Sequence, residues 1–207
     1  LWNIDQQNAF ITSNKPLTVL VEGQTDKTHI EEAYKRLQSR YPDLDFDVFS
    51  MNSSEHIREV LIGLTCSEIK WNKKFIGIFD NDTAGKGDIN KGFEKDDNNE
   101  KIKHVKYKDA IVTNNFYAFL LPKTAEYKPN ESFTIENCYP PEKYQEAVEQ
   151  AVAEKHGYYS GLSIDKVADD IKNKSKTILA VNCKSFTDED FNNFSAIFDL
   201  INEIRLK

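Results

Sequence analysis

Two short acidic segments carry the side chains best suited to chemistry in this 207-residue chain. Glu22 follows the apolar run Leu17–Val21, and Asp80 and Asp82 follow the apolar run Lys74–Phe79. Ligands of open α/β sheets bind beyond the carboxyl ends of the strands. Carboxylates there suit Mg²⁺ or Mn²⁺, which bind through a few carboxylates together with water and phosphate oxygens. The two segments therefore predict a site for one or two divalent ions, provided that the strands are neighbours.

Each segment also has a purely structural explanation. An Asp-Asn-Asp sequence after a strand is commonly a turn or a helix cap, and Glu-Gly is a common exit from a sheet. Asp26 could cap the next helix or serve as an outer ligand. Gly23 would allow a sharp turn of the backbone, and Gly85 and Gly87 would do the same after Asp82. The joint occurrence of the acids at two strand ends favours the functional interpretation.

The elements that would position these acids alternate along the first 95 residues. The apolar runs predict strands at Leu17–Val21, 46–49 and Lys74–Phe79. Apolar residues at helical spacing predict helices at 26–39 and 53–69, the second capped by Ser53. This βαβαβ order predicts a parallel sheet with right-handed crossovers.

The pattern changes after residue 82. Glycine, lysine, aspartate and asparagine dominate residues 82–99, which predicts a loop with a short helix at best. Alternating charge and bulk at 101–108 predicts an edge strand, and the apolar run 115–121 predicts another strand that Pro122 ends. Residues 123–132 form a polar connection. The remaining predictions are helices at 140–155, 164–173 and 187–206.

These elements predict an α/β fold with a mostly parallel sheet flanked by helices and a C-terminal helical extension. We expect residues 1–14 to lead into an α/β core at 15–122. Residues 123–207 would then form a mostly helical extension that packs on this core.

Composition limits the class of protein. A hydrophobic fraction of 39%, with 13 Phe and 9 Tyr, is enough for a substantial core. No apolar stretch approaches the ~20 residues that cross a bilayer, and no signal peptide is recognisable. Together with the scattered Cys66, Cys138 and Cys183, this predicts a cytoplasmic protein without a membrane partner. The first residue is not Met, so we expect a fragment or a processed chain.

The order of the acidic motifs resembles the TOPRIM domain, which topoisomerases, bacterial-type primases, OLD-family nucleases and recombination-mediator proteins share. Its marks are a glutamate in an h-h-E-G motif after the first strand and a D-x-D motif after the third. Here they are Glu22-Gly23 and Asp80-Asn81-Asp82. The resemblance covers roughly the predicted core and implies a TOPRIM-type, Rossmann-like sheet.

Among TOPRIM proteins the chain is most similar to the nuclease part of the OLD (overcoming lysogenization defect) family. Asp26 stands where that family has a second acidic residue. Residues 134–140 resemble a family segment with a glutamate before an aromatic residue and proline, and residues 175–180 resemble a late segment with a lysine. The resemblance implies that Glu136 is a metal ligand and that Lys176 stabilises charge on the phosphate.

The activity implied by this resemblance is a metal-dependent endonuclease, with DNA as the expected substrate and phage defence as the expected role. Asp80 and Asp82 would be the primary ligands, and Glu22 a ligand or a general acid or base. Asp26 and Glu136 would complete a second metal site.

A net charge of −7 argues against a protein that coats nucleic acid by electrostatics alone, but not against an enzyme with local contacts. OLD proteins usually carry an ABC-type ATPase, yet the sequence has no G-x-x-x-x-G-K-[ST] motif. An ATPase domain or subunit outside this sequence is therefore an expected partner, and a homo-oligomer stays open.

Two other functions stay open. The segment from Phe79 to Thr83 also resembles the h-D-x-D-x-T motif of haloacid-dehalogenase phosphatases, in which Asp80 would be the nucleophile. Such a phosphatase has no need of Glu22. Alternatively, the fold could be a non-catalytic module that uses its carboxylates for metal-dependent binding of nucleic acid or protein.

Overall fold

The computed structural model describes residues 9–10, 12–67, 69–96, 98–106, 115–156 and 168–207. Its strands are β1 Leu17–Val21, β2 Phe46–Ser50, β3 Lys74–Phe79, β4 Phe93–Lys95, β5 Lys103–Val105 and β6 Phe116–Leu120. Within the described ranges they form one six-stranded sheet in the order β2-β1-β3-β6-β5-β4. The first four strands of that order run parallel, and β5 and β4 add antiparallel pairs at one side.

Helices flank this sheet. In chain order they are α1 Gln24–Leu37, α2 Ser54–Thr65, α3 Thr83–Gly92, α4 Pro141–His156, α5 Asp169–Asn182 and α6 Ser195–Leu206. Short 3₁₀ segments lie at Gln38–Arg40, Ile135–Cys138, Cys183–Ser185 and Asp188–Phe194. The expected α/β fold, a mostly parallel sheet with C-terminal helices, is confirmed.

The sheet separates two hydrophobic clusters because successive strand residues point to opposite faces. Ile76 and Ile78 face the cluster that α1, α4, α5 and α6 cover. Phe75 and Phe79 face the smaller cluster that α2 and α3 cover. Strands buried on both faces explain why β1 and β3 are continuously apolar in sequence.

Two predictions for the middle of the chain were wrong. Residues 82–99 contain the ten-residue helix α3 and the strand β4, because Asp82 caps the helix and Ile89 anchors it in the core. The strand predicted at 101–108 is β5, which lies inside the sheet because β4 pairs with its outer side. Residues 107–108 lie outside the described residues.

The C-terminal predictions need smaller corrections. The helix predicted at 164–173 lies partly outside the described residues, and α5 continues to Asn182. The single helix predicted at 187–206 is the 3₁₀ segment Asp188–Phe194 followed by α6. A search of the described residues for a helix of sufficient length and apolarity to cross a bilayer finds none.

Candidate functional site

Glu22 and Asp80 meet at the carboxyl ends of two adjacent parallel strands. β1 pairs with β3 with Leu20 opposite Gly77, so the residues after both strands leave the sheet at the same edge. Glu22 Oε1 accepts a hydrogen bond of 3.1 Å from the Asp80 backbone N–H. The condition that the strands be neighbours is therefore fulfilled.

Asp82 begins the helix that follows β3. Its Oδ1 accepts a hydrogen bond of 2.8 Å from the Gly85 N–H and so caps α3. Glycine is required at position 85 because a Cβ there would lie 2.1 Å from the Asp80 carbonyl oxygen. Gly87 has no such role, since a Cβ there would meet nothing within 4 Å. The close approach at Gly85 keeps Asp80 and Asp82 in one tight turn.

Asp26 lies in the first turn of α1. Its Oδ2 accepts a hydrogen bond of 2.7 Å from the Gly23 N–H, and Gly23 rather than Asp26 is the N-cap residue. The chain bends at Glu22 and Gly23, as expected, but Gly23 has an extended backbone with a φ of −112°, which other residues also adopt. Asp26 thus faces back towards the end of β1, the strand that Glu22 follows.

Glu136 is fully buried in the 3₁₀ segment Ile135–Cys138. The Thr134 hydroxyl donates a hydrogen bond of 2.6 Å to Glu136 Oε2. The Lys176 ammonium lies 3.2 Å from Oε1, yet within the described residues that oxygen accepts no aligned hydrogen bond. Since a buried carboxylate is costly without full pairing, Oε1 is available to a further ligand.

Lys176 projects from α5 towards the same acids. Burial lowers the pKa of this lysine, but attraction to Glu136, Asp80 and Asp26 outweighs burial and raises it above its ordinary value. The residue is therefore a cation at neutral pH. The neighbouring Lys174 instead pairs with Glu154 at 2.8 Å, so Lys176 is the lysine of this helix that joins the site.

Burial, and after it repulsion among the acids, raises the pKa values of three of these carboxylates. Burial, followed by the charges of Asp26, Glu22 and Glu136, raises the pKa of Asp80 to about 9. Burial and the charges of Asp26 and Asp82 raise the pKa of Glu22 to about 6, against the opposing Asp80 N–H bond. Burial and Glu136 likewise raise the pKa of Asp26.

We name as the acidic cluster the residues linked by these contacts and charges: Glu22, Asp26, Asp80, Asp82, Glu136 and Lys176. The structure brings Glu22 to the Asp80 backbone and Lys176 to Glu136, whereas Asp26 and Asp82 join these residues through the charges that act on Glu22. Their catalytic and metal-binding roles stay predictions.

His29 and Tyr139, which the sequence did not single out, form a buried pair three residues beyond Asp26 and Glu136. His29 Nδ1 and Tyr139 Oη are 2.9 Å apart, and the two rings make an edge contact at 5.3 Å. Burial lowers the pKa of His29 to about 4, so the ring is neutral at pH 7. The contact between these two side chains connects α1 to the turn that carries Glu136.

The donor set fits a hard divalent cation in its chemistry. Buried carboxylates with raised pKa values would be relieved by such a charge. Among the described residues, however, no three His, Cys, Asp or Glu side chains form a group that could hold a metal ion. Backbone N–H groups and the Thr134 hydroxyl engage one oxygen each of Asp26, Glu22, Asp82 and Glu136.

Comparisons with known proteins do not assign a function, so the function is argued from the geometry of the acidic cluster. No protein-family model matches the sequence, and no curated protein is significantly similar to it. A solved structure, the C-terminal region of the Xanthomonas campestris pv. campestris OLD protein, aligns with a TM-score of 0.45 and 14% identity. The alignment covers 92% of this chain and 94% of that one.

Proposed function

We propose that this chain is a divalent-metal-dependent nuclease that hydrolyses phosphodiester bonds of nucleic acid, with DNA as the expected substrate. The observation that carries the proposal is the contact of Glu22 with Asp80 inside the acidic cluster. Burial and the charges of Asp26, Glu22 and Glu136 raise the pKa of Asp80 to about 9, against the opposing charge of Lys176. Such a concentration of partly buried acids with perturbed pKa values is typical of a functional site rather than of a structural turn.

In this proposal Glu22, Asp80 and Asp82 hold Mg²⁺ or Mn²⁺, and Asp26 and Glu136 complete a second site. A bound divalent ion would supply charge neutralisation for the phosphate and an activated water nucleophile. Glu22 has a pKa of about 6 in the metal-free cluster, close to the range in which a carboxylate can exchange protons at neutral pH.

Lys176 would stabilise negative charge on the phosphate. Its ammonium is held 3.2 Å from Glu136 Oε1 and is attracted by Asp80 and Asp26 as well. A cation fixed in advance beside the reacting group needs little reorganisation during the reaction. Glu136 would thus serve both as a ligand and as the group that orients Lys176.

The order of the acidic motifs supports a TOPRIM domain of the OLD nuclease type. The resemblance to OLD proteins also implies an ATPase partner outside this sequence. The phosphatase alternative is less favoured, because it gives no role to Glu22. That side chain hydrogen-bonds the backbone of the would-be nucleophile Asp80. The non-catalytic alternative predicts metal binding without turnover.

The test is nicking of supercoiled plasmid DNA with Mg²⁺ or Mn²⁺, compared with single-stranded RNA and a phosphate monoester. Asp80→Asn and Glu22→Gln should each lower nicking by more than the ~10–100-fold that loss of an outer metal partner costs. Glu31→Gln is the matched control, because Glu31 lies on the exposed side of α1 in an ion pair with Lys27. Metal-dependent cleavage that survives both variants would overturn the proposal.

A second comparison uses two lysines of one helix. Lys176→Met should lower the rate of cleavage by about 10²–10³-fold, whereas Lys174→Met should leave it unchanged. Equal losses in both variants would show that the helix contributes only general stability or surface charge. Turnover of the monoester alone would favour the phosphatase.

A further inference from the structure

The pairing of β3 with β6 continues beyond the ends of both strands in an unusual way. Leu121 N–H donates to the Phe79 carbonyl at 2.8 Å, as in a regular parallel ladder. The next bond of such a ladder would run from the Asn81 N–H to the Leu121 carbonyl. Instead, the side-chain amide of Asn81 donates to Leu121 O at 3.0 Å. The side chain replaces the backbone donor.

The displaced backbone of Asn81 pairs with a different segment. Asn81 N–H donates to Phe133 O at 2.8 Å, and Phe133 N–H donates to Asn81 O at 3.2 Å. This antiparallel bridge stands outside the named strands. Asn81 therefore pairs with two segments at once, β6 through its side chain and Phe133 through its backbone.

Phe133 leads directly into the turn that carries Glu136. Phe133 is fully buried, and Thr134 beside it donates to Glu136 Oε2 at 2.6 Å. Residues 122–132 form neither a helix nor a strand. The bridge at Asn81 thus provides a direct link between the Asp80–Asp82 turn and the Glu136 turn.

We propose that Asn81 is a positioning residue: its side-chain amide takes over the bond to Leu121 O and so leaves the Asn81 backbone to hold the Asp80–Asp82 turn beside the Glu136 turn at one metal centre. The inference rests on the proposed function. An amide is required, because an alanine would leave the Leu121 carbonyl without its donor and an ionised aspartate could not donate.

A Mn²⁺ titration of the full chain, followed by electron paramagnetic resonance of the free ion, tests the proposal. Asn81→Ala should weaken binding about 10–100-fold, the range for loss of an outer metal partner. Asn81→Ser is run in parallel in case the alanine variant does not fold. Asn115→Ala is the matched control: its amide also donates to a carbonyl, that of Trp71 at 2.7 Å, but just before β6 begins. It should bind Mn²⁺ within twofold of wild type.

Two further measurements distinguish a failure of this proposal from a failure of the proposed function. In a Glu136→Gln background, Asn81→Ala should have little additional effect on Mn²⁺ affinity. If the two losses of affinity simply add, the proposed coupling of the two turns is wrong.

Without metal, Asn81→Ala should accelerate amide hydrogen exchange at Phe133 and Asn137. Unchanged exchange would also overturn the proposal. Equal losses of affinity in Asn81→Ala and Asn115→Ala would also contradict the proposal. A wild-type chain that binds no Mn²⁺ would defeat the proposed function, while the exchange measurement would still test the role of Asn81.

Discussion

At the scale of single residues, the surroundings of Asp80 decide whether its side chain carries a charge. A surface aspartate is ionised at neutral pH, but burial and three neighbouring carboxylates raise the pKa of Asp80 to about 9. The metal-free protein therefore keeps a proton on this side chain. A divalent ion would displace that proton, so Mn²⁺ affinity should rise with pH between 6 and 9.

Asp80→Asn should stabilise the metal-free protein. Because the pKa of Asp80 in the folded protein lies above the ordinary 3.8, its stabilising contribution is complete below about pH 4 and is lost as the pH rises through about 9. Asparagine imitates the protonated acid at every pH. The free energy of unfolding at pH 7, measured with urea in EDTA, should increase by at least about 1 kcal/mol.

The control for this experiment is Asp45→Asn, which alters an exposed carboxylate paired with Lys15. That variant should keep the decline of stability towards high pH that is expected for the wild type. A parallel decline in Asp80→Asn would contradict the assigned ionisation.

At the scale of elements, the contact of α3 with the end of β3 holds the D-x-D turn. Gly85→Ala would place a Cβ 2.1 Å from the Asp80 carbonyl oxygen. We expect a loss of about 1–3 kcal/mol in the free energy of unfolding, the usual cost of overpacking, together with weaker Mn²⁺ binding.

Gly87→Ala is the matched variant in the same helix, because a Cβ there meets nothing within 4 Å. Alanine is favoured over glycine inside a helix by up to about 1 kcal/mol. Urea denaturation should therefore show opposite signs for the two variants. Destabilisation of both would mean that the helix, rather than the contact with Asp80, is responsible.

The His29–Tyr139 pair joins α1 to the Glu136 turn through one buried hydrogen bond. Tyr139→Phe keeps the packing but leaves His29 Nδ1 without this partner, which should cost about 1–3 kcal/mol of unfolding free energy. The double variant with His29→Leu should recover part of that loss, because removing both polar partners costs less than removing one. If the unfolding free energy lost in the double variant equals the sum of the losses in the two single variants, the two side chains are not directly coupled.

At the scale of the whole molecule, the acidic cluster spans both predicted parts of the chain. Glu22, Asp26, Asp80 and Asp82 come from the predicted core, whereas Glu136 and Lys176 come from the extension. The hydrophobic cluster on that side of the sheet also includes residues from both parts. Metal binding should therefore stabilise the chain as one unit.

Mn²⁺ should raise the thermal midpoint of the full chain. At a free concentration 100 times Kd, binding to the folded state alone adds about 2.7 kcal/mol, which corresponds to about 5–10 °C for a chain of this size. Glu31→Gln should keep this shift, and Asp80→Asn should lose most of it. An equal shift in Asp80→Asn would show that Mn²⁺ acts outside the acidic cluster.

The sequence alone determined β1, β3 and the positions of Glu22, Asp80 and Asp82, because doubly buried strands are continuously apolar and strand ends are local features. The family resemblance supplied Asp26, Glu136 and Lys176. The helix α3 was missed, since its composition is typical of a loop and its anchors, Gly85 and Ile89, act through contacts with the rest of the fold.

Only the tertiary structure decided which groups meet. Asn81 lies 52 residues before Phe133, and His29 lies 110 residues before Tyr139, so no local pattern could pair them. The raised pKa of Asp80 likewise requires burial together with the charges of three carboxylates that other parts of the chain supply. Local propensity and periodicity place a residue on an element, but energies that depend on distance and burial arise only when the elements pack.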